Sequence, residues 1–134
     1  MQIQPYLSFE GRCEEAAEFY RKALAAEVTV LMRFKESPDP GMCSPGSLDK
    51  VMHMSFRIGD TTLLASDGRC TGQPNFQGIS LSLTAPSDAE AERLFASLAD
   101  GGQVRMPLTK TFFSSRFGML ADRFGVPWMI VVAP

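Results

Sequence analysis

A succession of elements that occurs twice constrains this chain more than any other feature of it. Apolar residues alternate, then recur at helical spacing, then alternate again through three further stretches, and the whole order repeats. Strands are expected over 3–9, 28–35, 51–58 and on to about 66, and then over 79–84, 103–108, 113–121 and 126–132. A helix is expected over 12–27, where Cys13, Ala16, Ala17, Tyr20 and Leu24 share one face. Glu14, Glu15, Glu18, Arg21 and Lys22 cover the other, with Glu18 four residues before Lys22. The second helix opens on a capping box, Ser87 to Glu90. It buries Ala91, Leu94, Phe95 and Leu98, and stops at Gly101-Gly102. The fold class this predicts is α+β, with tandem βαβββ modules at 1–68 and 76–134 within a single domain of 134 residues. Leu7 answers Leu81, Phe19 answers Phe95, and the Gly59-Asp60 turn answers the one at Phe124-Gly125. The stretch 69–75 reads as a linker. The Pro- and Gly-rich loop 36–50 has no counterpart in the second half, and loops of that length are usually functional or disordered.

Within 51–58 the alternation is clean. Met52, Met54, Phe56 and Ile58 fall on one face, His53, Ser55 and Arg57 on the other. Counting back from the two-residue turn Gly59-Asp60 sets Ser55 opposite Leu64 and His53 opposite Ser66. Ser80 and Ser82 divide from Ile79, Leu81 and Leu83 in the same way, and Pro107 belongs at a strand end or bulge.

Composition narrows the function classes. Thirteen Lys and Arg stand against fifteen Asp and Glu, a formal net charge of -2, and no basic tract marks a nucleic-acid surface. No apolar run approaches the ~20 residues of a membrane span, and residues 1–5 lack a signal peptide's basic and apolar regions. A cytoplasmic protein with reduced thiols is therefore expected. Cys43 and Cys70, in polar loops, are either reactive nucleophiles or incidental thiols. No His or Lys stands near either in sequence to activate it, which favours the second reading. One His and three Cys argue against a conventional zinc site.

Pro5-Tyr6-Leu7-Ser8-Phe9 followed by Glu15-Ala16-Ala17-Glu18-Phe19-Tyr20 resembles the opening of the vicinal oxygen chelate superfamily, which includes glyoxalase I, bleomycin-resistance proteins and extradiol dioxygenases. Val51-Met52-His53, Ala65-Ser66-Asp67 and the run from Phe117 to Trp128 resemble its bacterial branch named for 3-demethylubiquinone methyltransferase. The resemblance covers essentially the whole chain. It implies modules curled into a cup with helices outside, and commonly a homodimer. It also places the superfamily's metal ligands at Gln4 or Pro5, near Leu64 or Ala65, at or beside Gly78 with Gln77 adjacent, and at Met129. These residue types do not suit a hard divalent ion, so no metal site and no cofactor are expected. Methyl transfer has no support in the residues either, since Phe9-Glu10-Gly11-Arg12 is not a cofactor-binding glycine turn.

The ligand positions of the superfamily point into the cup, which puts Leu64, Ser55, His53, Arg57 and Ser66 there, joined by Tyr6 and Ser8 of the opening strand and by Ser80, Ser82 and Met129. That face either lines a pocket for a small polar molecule or simply faces water. His53 is the candidate proton carrier, with a hydrogen-bonded structural role as the alternative. Arg57 either holds a carboxylate or phosphate or makes a rim ion pair with Asp60 or a Glu. Lys110, Phe113 and Arg116 fall near the cup mouth; Phe112 and Phe113 either stack on a planar ligand or serve as core or dimer contacts. Trp128, alternating with Met129, belongs beneath a helix. The function expected is binding of an unidentified small molecule without metal. The alternative is a metal-independent lyase, isomerase or transferase with His53 as acid or base.

Overall fold

The computed structural model, which describes residues 1–38 and 46–134, runs β1 (Tyr6–Ser8), α1 (Cys13–Leu24), β2 (Glu27–Arg33), β3 (Val51–Ile58), β4 (Thr61–Ser66), then β5 (Leu81–Ala85), α2 (Asp88–Ala99), β6 (Gln103–Thr109), β7 (Phe117–Ala121) and β8 (Pro127–Val132). The repeated order is present. Two open, four-stranded mixed sheets form, with strand orders β1-β4-β3-β2 and β5-β8-β7-β6. In each, the first strand runs parallel to the last and the other pairings are antiparallel. The class is α+β, in two compact units, Met1–Pro74 and Asn75–Pro134.

Ring contacts decide which face of each sheet is core. Tyr20 of α1 stacks on Phe56 with centroids 5.9 Å apart and planes 10° from parallel, and Phe9 meets Tyr20 at 6.1 Å. That puts Met54, Phe56, Leu63 and Ala65, all buried, on the helix side of the first sheet. Alternation then turns Ser55 and Leu64, which pair directly across the hairpin as expected, to the helix-free side. In the second unit α2 buries Ala91, Leu94, Phe95 and Leu98. Gly118 of β7 lies beneath Phe95, where an added Cβ would come within 2.7 Å of the ring. Leu120, Trp128 and Ile130 fill the same side. Complete burial of a Phe, Leu or Ile contributes about 1.5–3 kcal/mol, so these alternations fix the register: a slip by one residue would expose each set.

Several boundaries and pairings differ from expectation. Helix α1 ends at Leu24 and not at residue 27, because Ala25 turns left-handed at φ 55 and the Ala26 amide donates back to the Tyr20 carbonyl at 3.2 Å. Strand β7 starts at Phe117 and not at 113. Thr111 and Ser114 close a turn in the intervening stretch, the Thr111 amide donating to the Ser114 carbonyl at 2.9 Å. Strand β5 starts at Leu81, which leaves Ile79 exposed. The Ser87 hydroxyl accepts from the Glu90 amide at 3.2 Å, but the Glu90 carboxylate turns to Arg93 at 2.8 Å, so half of the capping box forms. Glu18 pairs with Arg21 at 2.5 Å and lies 3.9 Å from Lys22. Pairing also revises the internal correspondences. Leu7 stands opposite Ala65 as Leu83, not Leu81, stands opposite Ile130. Tyr20, not Phe19, answers Phe95, each being the buried aromatic seven residues into its helix. Pro107 lies within the register shift between Met106 and Thr109, as a residue without an N–H should.

Candidate functional site

On the helix-free side of the first sheet, β1, β4, β3 and β2 bring Tyr6, Leu64, Ser55 and Val30 into one row. His53 stands two residues from Ser55 on the same face, opposite Met32. The Tyr6 hydroxyl and His53 Nδ1 are 3.0 Å apart, and their rings are 5.7 Å apart at 35°. With Tyr6 donating to Nδ1, Nε2 carries the proton and points a donor outward; the other tautomer leaves Nε2 as an acceptor. Tyr6 is half exposed and His53 partly so. This joins two residues that lie 47 positions apart, each named from sequence for a different reason.

The other candidates of this unit are placed differently. Arg57 forms an ion pair with Glu27 at 2.9 Å, the rim arrangement expected as its alternative. Ser66 is buried, its hydroxyl accepting from the Gly68 amide at 3.1 Å. Ser8 pairs with Ser66, and its hydroxyl sits where a Cβ on Gly68 would be. Both serines close the end of the sheet under a turn.

In the second unit Ser82, Met129, Met119 and Met106 form the matching row. Ser80 is exposed beside it, and Lys110 is exposed on the loop after β6. Phe113 packs edge-on against Phe117 at 5.0 Å and Phe112 at 5.1 Å, while Phe112 itself is fully exposed. Phe112 is thus not a core residue; the turn at Thr111 carries it outward. Arg116 is held by α2, with Glu92 at 3.2 Å and Asp88 at 3.6 Å, and Asp88 also takes the Ser115 hydroxyl. Trp128 is buried on the α2 side, as its alternation with Met129 requires.

Two buried carboxylates are structural. Asp67 accepts the amides of Gly11 at 3.1 Å, Cys13 at 2.7 Å and Val51 at 2.7 Å. It thereby caps α1, whose own N-cap residue, Arg12, makes no side-chain cap bond. Asp122 accepts the amides of Phe124 at 2.9 Å and Val126 at 3.1 Å and the Trp128 indole N–H at 2.9 Å. Neither Cys13 nor Cys70 offers an accessible free thiol. Burial pushes the Cys13 thiol far up, and the nearby charges of Asp67 and Glu14 add to it. Cys70 is disulfide-bonded, which corrects the expectation of reduced thiols; composition and spacing suggest only a redox default, whereas pairing is decided by proximity in the fold. Cys43 lies outside the described residues.

The positions that the resemblance assigns to metal can now be read from pairing. Leu64 and Met129 stand at equivalent places, and their neighbours on the opening strands are Tyr6 and Ser82. The Pro5 carbonyl accepts the Leu64 amide at 2.9 Å, and Gly78 precedes β5. Among the described residues, no three His, Cys, Asp or Glu side chains converge as a metal cage would require. No helix among them is long and apolar enough to cross a membrane. Arg105 is not among the residues that the sequence singles out; strict alternation would set it on the face opposite Met106. A register shift between Val104 and Met106 makes it a bulge residue, and that shift has no signature in the residue types.

Known proteins are similar to this chain in sequence and fold. Protein YjdN of Escherichia coli is 34% identical over 140 residues, 98% of this chain and 95% of that protein. The crystal structure of protein PA1353 from Pseudomonas aeruginosa is 42% identical, with a TM-score of 0.87, over 99% of this chain and 98% of that one. A glyoxalase-related enzyme from Fulvimarina pelagi shares the fold at 18% identity and a TM-score of 0.61, over 100% of this chain and 89% of that one. The family model described as 3-demethylubiquinone-9 3-methyltransferase matches residues 1–131, and the chain belongs to that family, with a glyoxalase-like fold.

Proposed function

We propose that this protein binds a small molecule on the helix-free face of its first sheet, without the metal of the wider superfamily. The observation that carries the reading is the Tyr6–His53 pair, an oriented polar couple on a partly open sheet face flanked by the apolar side chains of Leu64, Val30 and Met32. A few placed polar groups on an otherwise apolar wall are what a small-molecule site requires. The residues at the expected ligand positions (Gln4 or Pro5, Leu64 or Ala65, Gly78 with Gln77 adjacent, and Met129) are a poor donor set for a hard divalent ion. Ser55 completes the polar set in the first unit, and Ser80, Ser82 and Met129 offer a second, thioether-rich face. The protein is read as a cytoplasmic homodimer.

The same pair supports a catalytic alternative, a metal-independent lyase, isomerase or transferase. The phenol fixes the ring and leaves Nε2 to move a proton. Titration of the isotope-labelled protein with 1-anilinonaphthalene-8-sulfonate, a planar anion, separates these readings from a solvated face. Shifts are expected at Tyr6, His53 and Ser55, and His53→Ala should weaken binding about tenfold while the fold is kept. Binding unaffected by His53→Ala removes the proposal. So does a stoichiometric transition metal retained after dialysis.

A further inference from the structure

The second unit contains an open depression of about 400 Å³ formed by Phe76, Gln77, Gly78, Ile79, Ser80, Arg105 and Pro127. We infer that it is a binding site for a small organic anion, a carboxylate or phosphonate attached to an apolar body, with Arg105 as the anion-holding residue.

The charge balance of the wall comes first. One of its side chains is charged, and that one is cationic; no carboxylate lines it. Nine of the ion pairs on this chain engage Arg12, Arg21, Lys22, Arg33, Lys35, Arg57, Arg93 and Arg116, the last with two partners. Arg105 has no hydrogen-bond or ion-pair partner for its side chain among the described residues. A guanidinium in a concavity without a counter-ion presents its donor fork to an anion from solution.

The backbone supplies the second argument. The register shifts between Val104 and Met106 in β6, so Arg105 is the extra residue of a bulge. The first unit shifts at the matching place, between Val28 and Val30, where Thr29 uses its hydroxyl on the Ser55 carbonyl at 3.1 Å. In one unit the bulge residue is tied to the next strand; in the other it is an exposed cation on the wall of a depression. Bulges re-aim side chains in this way beside binding sites. The Gln77 amide and Ser80 hydroxyl add neutral polar groups to the wall, while Phe76, Ile79 and Pro127 supply an apolar surface. The site uses no residue of the first unit and stands whether or not Tyr6 and His53 bind anything.

The test is titration of the isotope-labelled 134-residue chain with phenylphosphonate and, separately, with inorganic phosphate. Phenylphosphonate should move the Gly78, Ile79 and Ser80 amides and the Arg105 Nε signal, and should bind more tightly than phosphate, since phosphate leaves the apolar wall unused. Arg105→Gln should weaken phenylphosphonate at least about tenfold, the usual factor for losing a charged hydrogen-bond partner. Arg105→Lys should recover part of that loss, and Arg93→Gln, on the exposed face of α2, should leave binding unchanged. Equal affinity in Arg105→Gln, shifts that map to Tyr6 and His53 instead, or phosphate binding as tightly as phenylphosphonate would each overturn the inference.

Discussion

At matching register positions the first sheet presents Tyr6, Leu64, Ser55 and Val30 on its helix-free side, and the second presents Ser82, Met129, Met119 and Met106. On their helix sides the same two sheets agree much more closely: Leu63, Ala65 and Phe56 answer Trp128, Ile130 and Leu120, all buried. The contrast separates two kinds of constraint. Positions beneath a helix must fill a fixed space, so they vary in size and stay apolar. Positions on the open side are free of that demand, and there the units diverge into a phenol–imidazole couple and a row of thioethers. Divergence of this kind on one backbone locates the chemistry better than either face does alone.

The largest expected effects test whether the two units are held together in the same way. Asp67 and Asp122 each gather three N–H donors in the interior. Replacing either by Ala leaves those donors buried and unpaired, so Asp122→Ala and Asp67→Ala should each cost about 3–5 kcal/mol in urea unfolding. The Asn variants, which keep one acceptor oxygen, should cost less. If Asp67→Ala were mild while Asp122→Ala was severe, the carboxylate of the first unit would be a cap on α1 and nothing more.

A second test exploits one matched position that the units fill in opposite ways. Met54 faces Ala65 as Gly118 faces Ile130, and both lie beneath their helices. Met54→Ala should open a cavity at a cost of about 2–5 kcal/mol. Gly118→Ala should cost about 1–3 kcal/mol for the opposite reason, overpacking against Phe95 Cε2 at 2.7 Å and Leu108 Cα at 3.0 Å. Thermal unfolding of both variants checks the pair. A neutral Gly118→Ala would mean that the ring of Phe95 can move aside.

The sequence made the repeat legible because burial imposes its period on residue type. The helix faces, the Gly59 turn, the split of β3 and the pairing of Ser55 with Leu64 all follow from that. It was less informative where a local hydrogen bond overrides propensity. Ala25, of the best helix-forming type, ends α1 in a left-handed turn, and Thr111 with Ser114 shortens β7. The candidate site was legible as a face, since alternation named His53 and Ser55 together, and Tyr6 joined them from the opening strand. Their contact across 47 residues needed the parallel pairing of β1 with β4. Arg57 and Arg116 looked equally available in sequence, but carboxylates that register and helix docking bring alongside, Glu27, Asp88 and Glu92, hold both.

The smallest effect concerns an ion pair that one unit has and the other lacks. Glu14, in the first turn of α1, meets Arg33 at the end of β2 at 2.8 Å; the matching residues of the second unit, Ala89 and Thr109, carry no charge. The Arg33 hydrogen bond, against a smaller opposing effect of burial, holds the Glu14 carboxyl below the ordinary glutamate range. A carboxyl whose pKa is lower folded than unfolded adds stability that is complete above the unfolded value and disappears as pH falls through the folded one. Glu14 is largely exposed, so Glu14→Gln should cost less than about 1 kcal/mol at neutral pH. The difference between wild type and variant should shrink toward zero as pH falls below the ordinary glutamate range, and also at high salt. The difference between the two proteins in urea unfolding at each pH isolates the contribution of this carboxyl. A difference that persists unchanged in acid would show that Glu14 acts through packing of its stem along β2 and not through its charge.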